Sequence, residues 1–199
     1  MSCILSIDTS TNVCSVAVSQ DGACIFSKED FDGPNHAVKL GVYVDEAMSF
    51  ADSHAIPLDA VAVSCGPGSY TGLRIGVSMA KGICYGQNLK LISVPTLELM
   101  TVPVLLREVR GIQADIVDAD TYKEYLDRGP VYFFGDGAEK CMEVINHPNA
   151  RLIKNVHPLA KWMYPLAEKR IALEKFEDVA YFVPFYLKDF VAKESKKLL

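Results

Sequence analysis

Two stretches of this chain carry residue types that can handle a phosphate. The first is Asp8-Thr9-Ser10-Thr11, an acid followed by hydroxyls, which leaves the end of the apolar run Cys3-Ile4-Leu5-Ser6-Ile7. A carboxylate and hydroxyls in that position can hold magnesium against a phosphate. The second is Gly66-Pro67-Gly68-Ser69-Tyr70-Thr71-Gly72-Leu73-Arg74-Ile75-Gly76, which follows the strand-like run Ala60-Val61-Ala62-Val63 and opens a helix reaching about Tyr85. Strand, glycine turn and helix start together can present free backbone N–H groups to an anion. Neither standard nucleotide fingerprint fits, however. A P-loop needs Lys and then Ser or Thr after its last glycine, and Leu73-Arg74 follow Gly72; a dinucleotide loop needs glycine where Thr71 stands. On residue types alone both stretches read first as turns. Gly66 and Gly68 allow positive φ, Pro67 stiffens the turn, and Ser69 or Thr71 can cap the helix.

Other chemistries find no constellation. A two-metal nuclease needs converging carboxylates, but after Asp8 the candidates Asp45, Glu46 and Asp59 fall on a helix or a loop. His36, His54, His147 and His157 are scattered, with no HxxxH or HExxH pair, so no metal site is expected. No serine or cysteine sits in a G-x-S-x-G elbow. His36 reads as a helix-start residue rather than a base. The expectation is a chain with no catalytic residue and no resident cofactor.

The helices that would position such loops carry a different message. In the helix predicted over 72–86, Gly72, Gly76, Ala80 and Cys84 repeat every fourth residue and make one flat, small edge. Leu73, Ile75, Val77, Met79 and Ile83 cover most of the rest, leaving Arg74, Ser78 and Lys81 as polar exceptions. A helix apolar nearly all round is normally covered on more than one side. Interior glycines, each costing up to about 1 kcal/mol against alanine, make sense where another backbone comes close. The earlier helix, predicted over 36–52 after Gly33-Pro34-Asn35, has a core stripe of Ala37, Leu40, Val44, Ala47, Met48 and Ala51. Val38 and Val42 lie opposite that stripe, beside Gly41, where a solvated helix would carry charge. Read together, the two helices point to a partner-binding surface.

The chain has 199 residues, 50% of them hydrophobic and 23% charged, and a net charge of −5. That suits one or two small domains and makes a poor lone binder of nucleic acid; the basic tail with Lys193, Lys196 and Lys197 reads as a solvated end. No apolar stretch approaches the roughly 18 residues that cross a bilayer. Met1-Ser2-Cys3 leads straight into the first strand without a basic region, so no secretory signal is expected, and the six cysteines form no CxxC pair. A reduced, cytoplasmic protein is expected. Strands are predicted over 3–8, 13–18 and 23–27, with a hairpin at Asp21-Gly22, then helix 36–52, strand 60–65, helix 72–86, strand 90–94 and a helix from Thr96. Further on, Val131-Tyr132-Phe133-Phe134 and Gly135-Asp136-Gly137-Ala138-Glu139 read as strand, turn and helix, His157 to about Arg170 reads as a helix, and Tyr181 to Leu187 is an apolar run. The predicted class is α/β. Three meandering strands followed by alternating helix and strand is the order of ribonuclease H-like domains, including the actin-like ATPases. Two similar subdomains are expected, over 1–100 and 101–199, the second of them incomplete-looking.

Several motifs together resemble the bacterial TsaB family, also called YeaZ, of the glycoprotease-like branch of the actin-like (ASKHA) ATPases. They are Ile7-Asp8-Thr9-Ser10, Cys14-Ser15-Val16-Ala17, the Asn35-His36 helix start, the glycine block, Val94-Pro95-Thr96-Leu97 and the closing Pro184-Phe185-Tyr186-Leu187-Lys188. The resemblance is strong over roughly residues 1–100 and weak beyond. It implies a non-catalytic scaffold that pairs with its sister TsaD and the ATPase TsaE to make threonylcarbamoyladenosine beside a tRNA anticodon. It implies contact with tRNA only through that complex, and self-pairing when alone. By the same resemblance Asp8, Thr9 and Ser10 are a vestigial phosphate loop. The interface candidates are Val38, Gly41, Val42 and Asp45 on the first helix, with Gly72, Arg74, Gly76, Ser78 and Lys81 on the second. One departure stands out: the family's Ile-Asp-Ala-Arg strand and the strand after it are missing where Leu105-Leu106-Arg107-Glu108 meets Val109-Arg110-Gly111-Ile112-Gln113, as though a segment were absent. Two other classes stay open, an actin-like ATPase or glycoprotease-type peptidase, and a stand-alone dimeric chaperone or regulator.

Overall fold

The structure, a computed structural model, describes residues 2–33, 35–105 and 110–187. Met1, Pro34, Leu106 to Val109, Lys188 and the basic tail lie outside the described residues.

A five-stranded sheet of order β3-β2-β1-β4-β5 organises the first part of the chain. Its centre is β1 (Cys3–Asp8), antiparallel to β2 (Cys14–Gln20) and parallel to β4 (Ala60–Gly66). β3 (Ala23–Asp30) and β5 (Lys90–Pro95) form the edges. Gln20 stands opposite Ala23, and Asp21 and Gly22 both take positive φ (49° and 78°), the two-residue hairpin that the sequence predicts. β1 and β4 are apolar on both sides because both sheet faces are covered. One face carries α1 (His36–Ser53) and α2 (Tyr70–Gln87); Leu40, Val44, Ala47, Val77, Ala80 and Cys84 meet Leu5, Ile7, Val61 and Val63 there. The helix α3 (Thr96–Thr101) places Leu99 on the other face.

The second unit is smaller. α4 (Lys123–Leu126) precedes β6 (Val131–Phe133), which runs parallel to β7 (Ala150–Leu152) across the helix α5 (Ala138–Val144). Leu126, Ile145 and Ala150 are its core. Among the described residues it holds two strands where the first unit has five. The reason lies in the chain between α3 and α4: Arg110-Gly111-Ile112-Gln113-Ala114-Asp115 has no apolar alternation and forms no strand, and Leu105 and Ile116 are fully exposed beside it.

After β7 the chain returns to the first sheet. The helix predicted from His157 starts later, as α6 (Tyr164–Ala172), because Pro165 lacks an N–H and fits only a first turn. Met163 and Ala167 pack there on Ile4, Ala60, Ala62, Ile92 and Val94, completing the second face. The chain past residue 100 is thus shared: residues 123–152 build the small unit and residues 160–187 pack on the large one.

Met163 is 0% exposed, so Met163→Ala should cost about 2–5 kcal/mol, as deletions of large buried side chains do. Urea unfolding measures it; a loss below about 1 kcal/mol would mean that this helix is not part of the sheet's core.

Candidate functional site

The two phosphate-like stretches meet, and they meet each other. The Asp8-Thr9-Ser10 turn leaving β1 lies directly on the first turns of α2. The Ser69 N–H donates to the Ser10 carbonyl at 2.6 Å, and Thr9 Oγ1 donates to the Gly72 carbonyl at 2.7 Å. Ser69 caps the helix: its Oγ accepts from the Gly72 N–H at 3.2 Å and its carbonyl from the Leu73 N–H at 2.8 Å. A Cβ added at Gly68 would strike the Ser10 carbonyl, one at Gly72 the Thr9 carbonyl, and one at Gly76 the Thr9 Oγ1. The glycines are there so that one backbone can lie on another within the same unit. Gly72 and Gly76 are buried by that contact and face the sheet, which corrects their placement at a partner interface. The second covered side of α2 that the sequence implies is its own neighbour, the Thr9-Ser10 turn.

Asp8 is sealed beneath the turn, 0% exposed. Ser10 Oγ donates to its carboxylate at 3.0 Å and the Ser10 N–H at 3.3 Å. Burial pushes its pKa up to about 7, and the hydrogen bonds from Ser10 only partly pull it back. Among the described residues no group of three or more His, Cys, Asp or Glu side chains could hold a metal ion. Above the turn, a cleft of about 440 Å³ separates Ser10, Gly68 and Ser69 from Gly135, Asp136 and Gly137 of the small unit. Asp136 is the one charged residue among those lining it, so a phosphate would meet a carboxylate and no cation. His36 holds the Thr11 carbonyl through Nε2 at 2.8 Å, tying the start of α1 to the same turn, in keeping with a helix-start role.

The outward sides of α1 and α2 are different in character. Val38 and Val42 are 71% and 52% exposed, with Gly41 and Asp45 exposed beside them. On α2, Arg74 and Ser78 are exposed. Between the helices runs an open groove of about 930 Å³ whose apolar lining includes Met48, Ile75, Met79 and Ile83. Lys81 is half-buried and engaged within the chain: its Nζ donates to the carbonyls of Ala180 and Phe182 at 2.9 and 3.0 Å. The sequence reading missed Tyr85, 86% exposed. Its position four residues after Lys81 and seven after Ser78 is the signal that would have found it.

With this geometry in view, relatives decide the family. Residues 32–119 match the family model described as TsaD: tRNA N6-adenosine threonylcarbamoyltransferase. The tRNA threonylcarbamoyladenosine biosynthesis protein TsaB of Buchnera aphidicola is 31% identical over 145 residues, covering 71% of this chain and 69% of that protein. The chain belongs to the TsaB family. TsaB of Escherichia coli is 35% identical over 97 residues, 49% of this chain and 42% of the relative. TsaB of Bacillus subtilis is 29% identical over 166 residues, 83% of this chain and 66% of the relative. The chain therefore spans less than two thirds of the length of these two relatives. YeaZ from Pseudomonas aeruginosa, a solved structure, shares the fold with a TM-score of 0.74 at 22% identity, over 94% of this chain and 100% of that one. The fold is the ribonuclease H-like, actin-like ATPase (ASKHA) fold, as the strand order predicts.

Two outcomes follow for stability. Gly72→Ala should destabilise by about 1–3 kcal/mol through overpacking against the Thr9 backbone. Gly82→Ala, with nothing within 4 Å of its added Cβ, should stabilise by up to about 1 kcal/mol through helix propensity; thermal melts of the pair check the opposite signs. Asp8 has a folded-state pKa raised to about 7 from 3.8, so the folded state binds the extra proton. Stability should be greatest below pH 4 as far as this group is concerned and fall as pH rises to about 7, by on the order of 4 kcal/mol. Asp8→Asn should remove that slope and exceed the parent in stability at pH 8, as read by urea unfolding across pH.

Proposed function

We propose that this chain is a non-catalytic docking subunit. In this reading it presents the outer sides of α1 and α2 to a TsaD-type threonylcarbamoyltransferase and works with TsaE in threonylcarbamoylation of tRNA, touching tRNA only through that complex. The observation that carries the reading is the pair of exposed valines on α1, Val38 and Val42, together with the apolar groove that α2 and Met48 line. Three helix glycines support it. Gly41, Gly82 and Gly86 have nothing within 4 Å of an added Cβ, so no internal contact asks for them. They flatten the same outer sides, as close approach of another chain would need. The names of the TsaB relatives support the pathway. Alone, the same surface pairs with a second copy. No helix among the described residues is long and apolar enough to cross a membrane, and the reading places the protein in the cytoplasm, where tRNA is modified.

Support for a non-catalytic role comes from where the loop's hydrogen-bonding groups go. Ser69 N–H serves Ser10 and Gly72 N–H serves Ser69, so these turn donors are engaged within the chain. A buried Asp8 whose pKa is raised and a cleft whose lining charge is Asp136 weigh the same way.

Reconstitution tests the reading: tRNA modification assayed with TsaD, TsaE and the adenylate-forming enzyme, with and without this chain. Modification should require the chain. Val42→Glu, which sets a charge in an apolar contact, should weaken binding to TsaD at least tenfold with an unchanged melting temperature. Equal modification without the chain, or full-strength binding by Val42→Glu, overturns the proposal.

A further inference from the structure

The five-stranded sheet ends at β3 and β5, and the chain treats these two edges differently. β3 carries Lys28 and Glu29 within its length and bulges at Ile25, which has no partner between Val18 and Ser19 of β2. Charge and bulge are the means by which an edge strand avoids pairing with another chain. β5 has neither within its length. Leu91, Ile92 and Val94 are 0% exposed, and its one charge, Lys90, stands at its start.

What covers β5 is the chain after α6. Residues 177–187 pass its edge and cross to α2 and the end of β4 as a strap. Glu177 bridges Leu91: its N–H donates to the Leu91 carbonyl at 2.8 Å, and its carboxylate accepts from Ser93 Oγ at 2.5 Å. Lys81 of α2 donates to the carbonyls of Ala180 and Phe182. The Phe185 N–H donates to the Cys65 carbonyl at 2.7 Å. Val179 and Phe182 turn inward onto the core that includes Leu91.

The strap covers the edge without becoming a strand. It pairs with β5 at one residue and then turns. Asp178 Oδ1 accepts from the N–H groups of Ala180 and Tyr181, and the Asp178 carbonyl accepts from the Phe182 N–H at 2.8 Å. A sixth strand would only have moved the unpaired edge outward, whereas a turned segment ends it. Lys81 holds that turn. Its ammonium has three protons to give, and two of them go to backbone carbonyls of the strap.

We propose that residues 177–187 guard the β5 edge, that Lys81 pins the guard, and that β5 left uncovered pairs antiparallel with the β5 of a second copy. Such a pair is symmetric: one outward-facing residue of each copy exchanges N–H and C=O across a twofold axis. Burial of the apolar surface that Val179 and Phe182 had covered drives it.

Lys81→Met in the full chain tests this, with hydrogen exchange and sedimentation as readouts. Amide protection at Glu177, Phe182 and Phe185 should fall at least tenfold, and the average mass at a fixed concentration should double or more against the parent. Phe182→Ser, which removes an inward anchor and leaves Lys81 in place, should do the same. Lys81→Arg keeps a cation with its donors and should behave as the parent. Adding Ser93→Lys to Lys81→Met sets a charge on the bared edge and should restore the parent's mass. Met163→Ala, which loosens the other face of the sheet, controls for association through lost stability and should leave the mass unchanged. Unchanged protection in Lys81→Met means that Lys81 is not the pin, and lower protection with the parent's mass means that the edge needs no guard. Association that survives Ser93→Lys, or that Met163→Ala shares, arises elsewhere. Each of these results overturns the proposal.

Discussion

The structure depends on one close contact, the seating of the Thr9-Ser10 backbone on the first turns of α2. Three glycines permit it, and the carbonyls of Ser10 and Gly72 accept the hydrogen bonds that hold it. The contact joins the end of the central strand to the helix that covers it, and so fixes how α2 lies on the sheet. It also engages two donors at the α2 start, the N–H groups of Ser69 and Gly72. A helix N-terminus attracts anions because its first N–H groups lack partners, and each one that a serine cap or a neighbouring turn satisfies weakens that attraction.

The same seating explains the state of Asp8. A carboxyl at the end of a central strand is ordinarily solvated by whatever the loop above it binds. Here the loop closes over it, and burial raises its pKa to about 7 despite the hydroxyls that point at it. A protonated acid hydrogen-bonded to Ser10 suits an interior position; an ionised one there is costly. The packing that makes the turn compact thereby raises the cost of a charge on Asp8.

Much of this was legible in the residues, and the exceptions have physical causes. Asp21-Gly22 announced its hairpin because two successive positive φ angles leave few residue choices. The helical spacing of Leu40, Val44 and Ala47 located the buried side of α1, which made Val38 and Val42 stand out. The glycine spacing of α2 announced a close backbone approach but carried no direction, since period four marks a helix edge without saying what lies against it. Thr9 lay there, so Gly72 and Gly76 point inward. Lys81 read as a surface charge because its acceptors, the Ala180 and Phe182 carbonyls, belong to a strap without periodicity about 100 residues away. The small second unit was faint because strands of three residues leave almost no alternation to read.

The glycines of α1 and α2 thus divide into two sets with different causes. Gly72 and Gly76 answer to an internal neighbour, and their cost in helix propensity is offset by a contact that any side chain would block. Gly41, Gly82 and Gly86 answer to nothing inside the chain, and each forgoes up to about 1 kcal/mol that alanine would supply. Random drift toward glycine would scatter such positions around the helices. Instead Gly82 and Gly86 line the groove itself, on the outward side that also holds Arg74 and Ser78, and Gly41 adjoins the exposed Val42. A stability cost carried on outward sides of both helices argues that those sides are shaped for a neighbour the isolated chain does not contain.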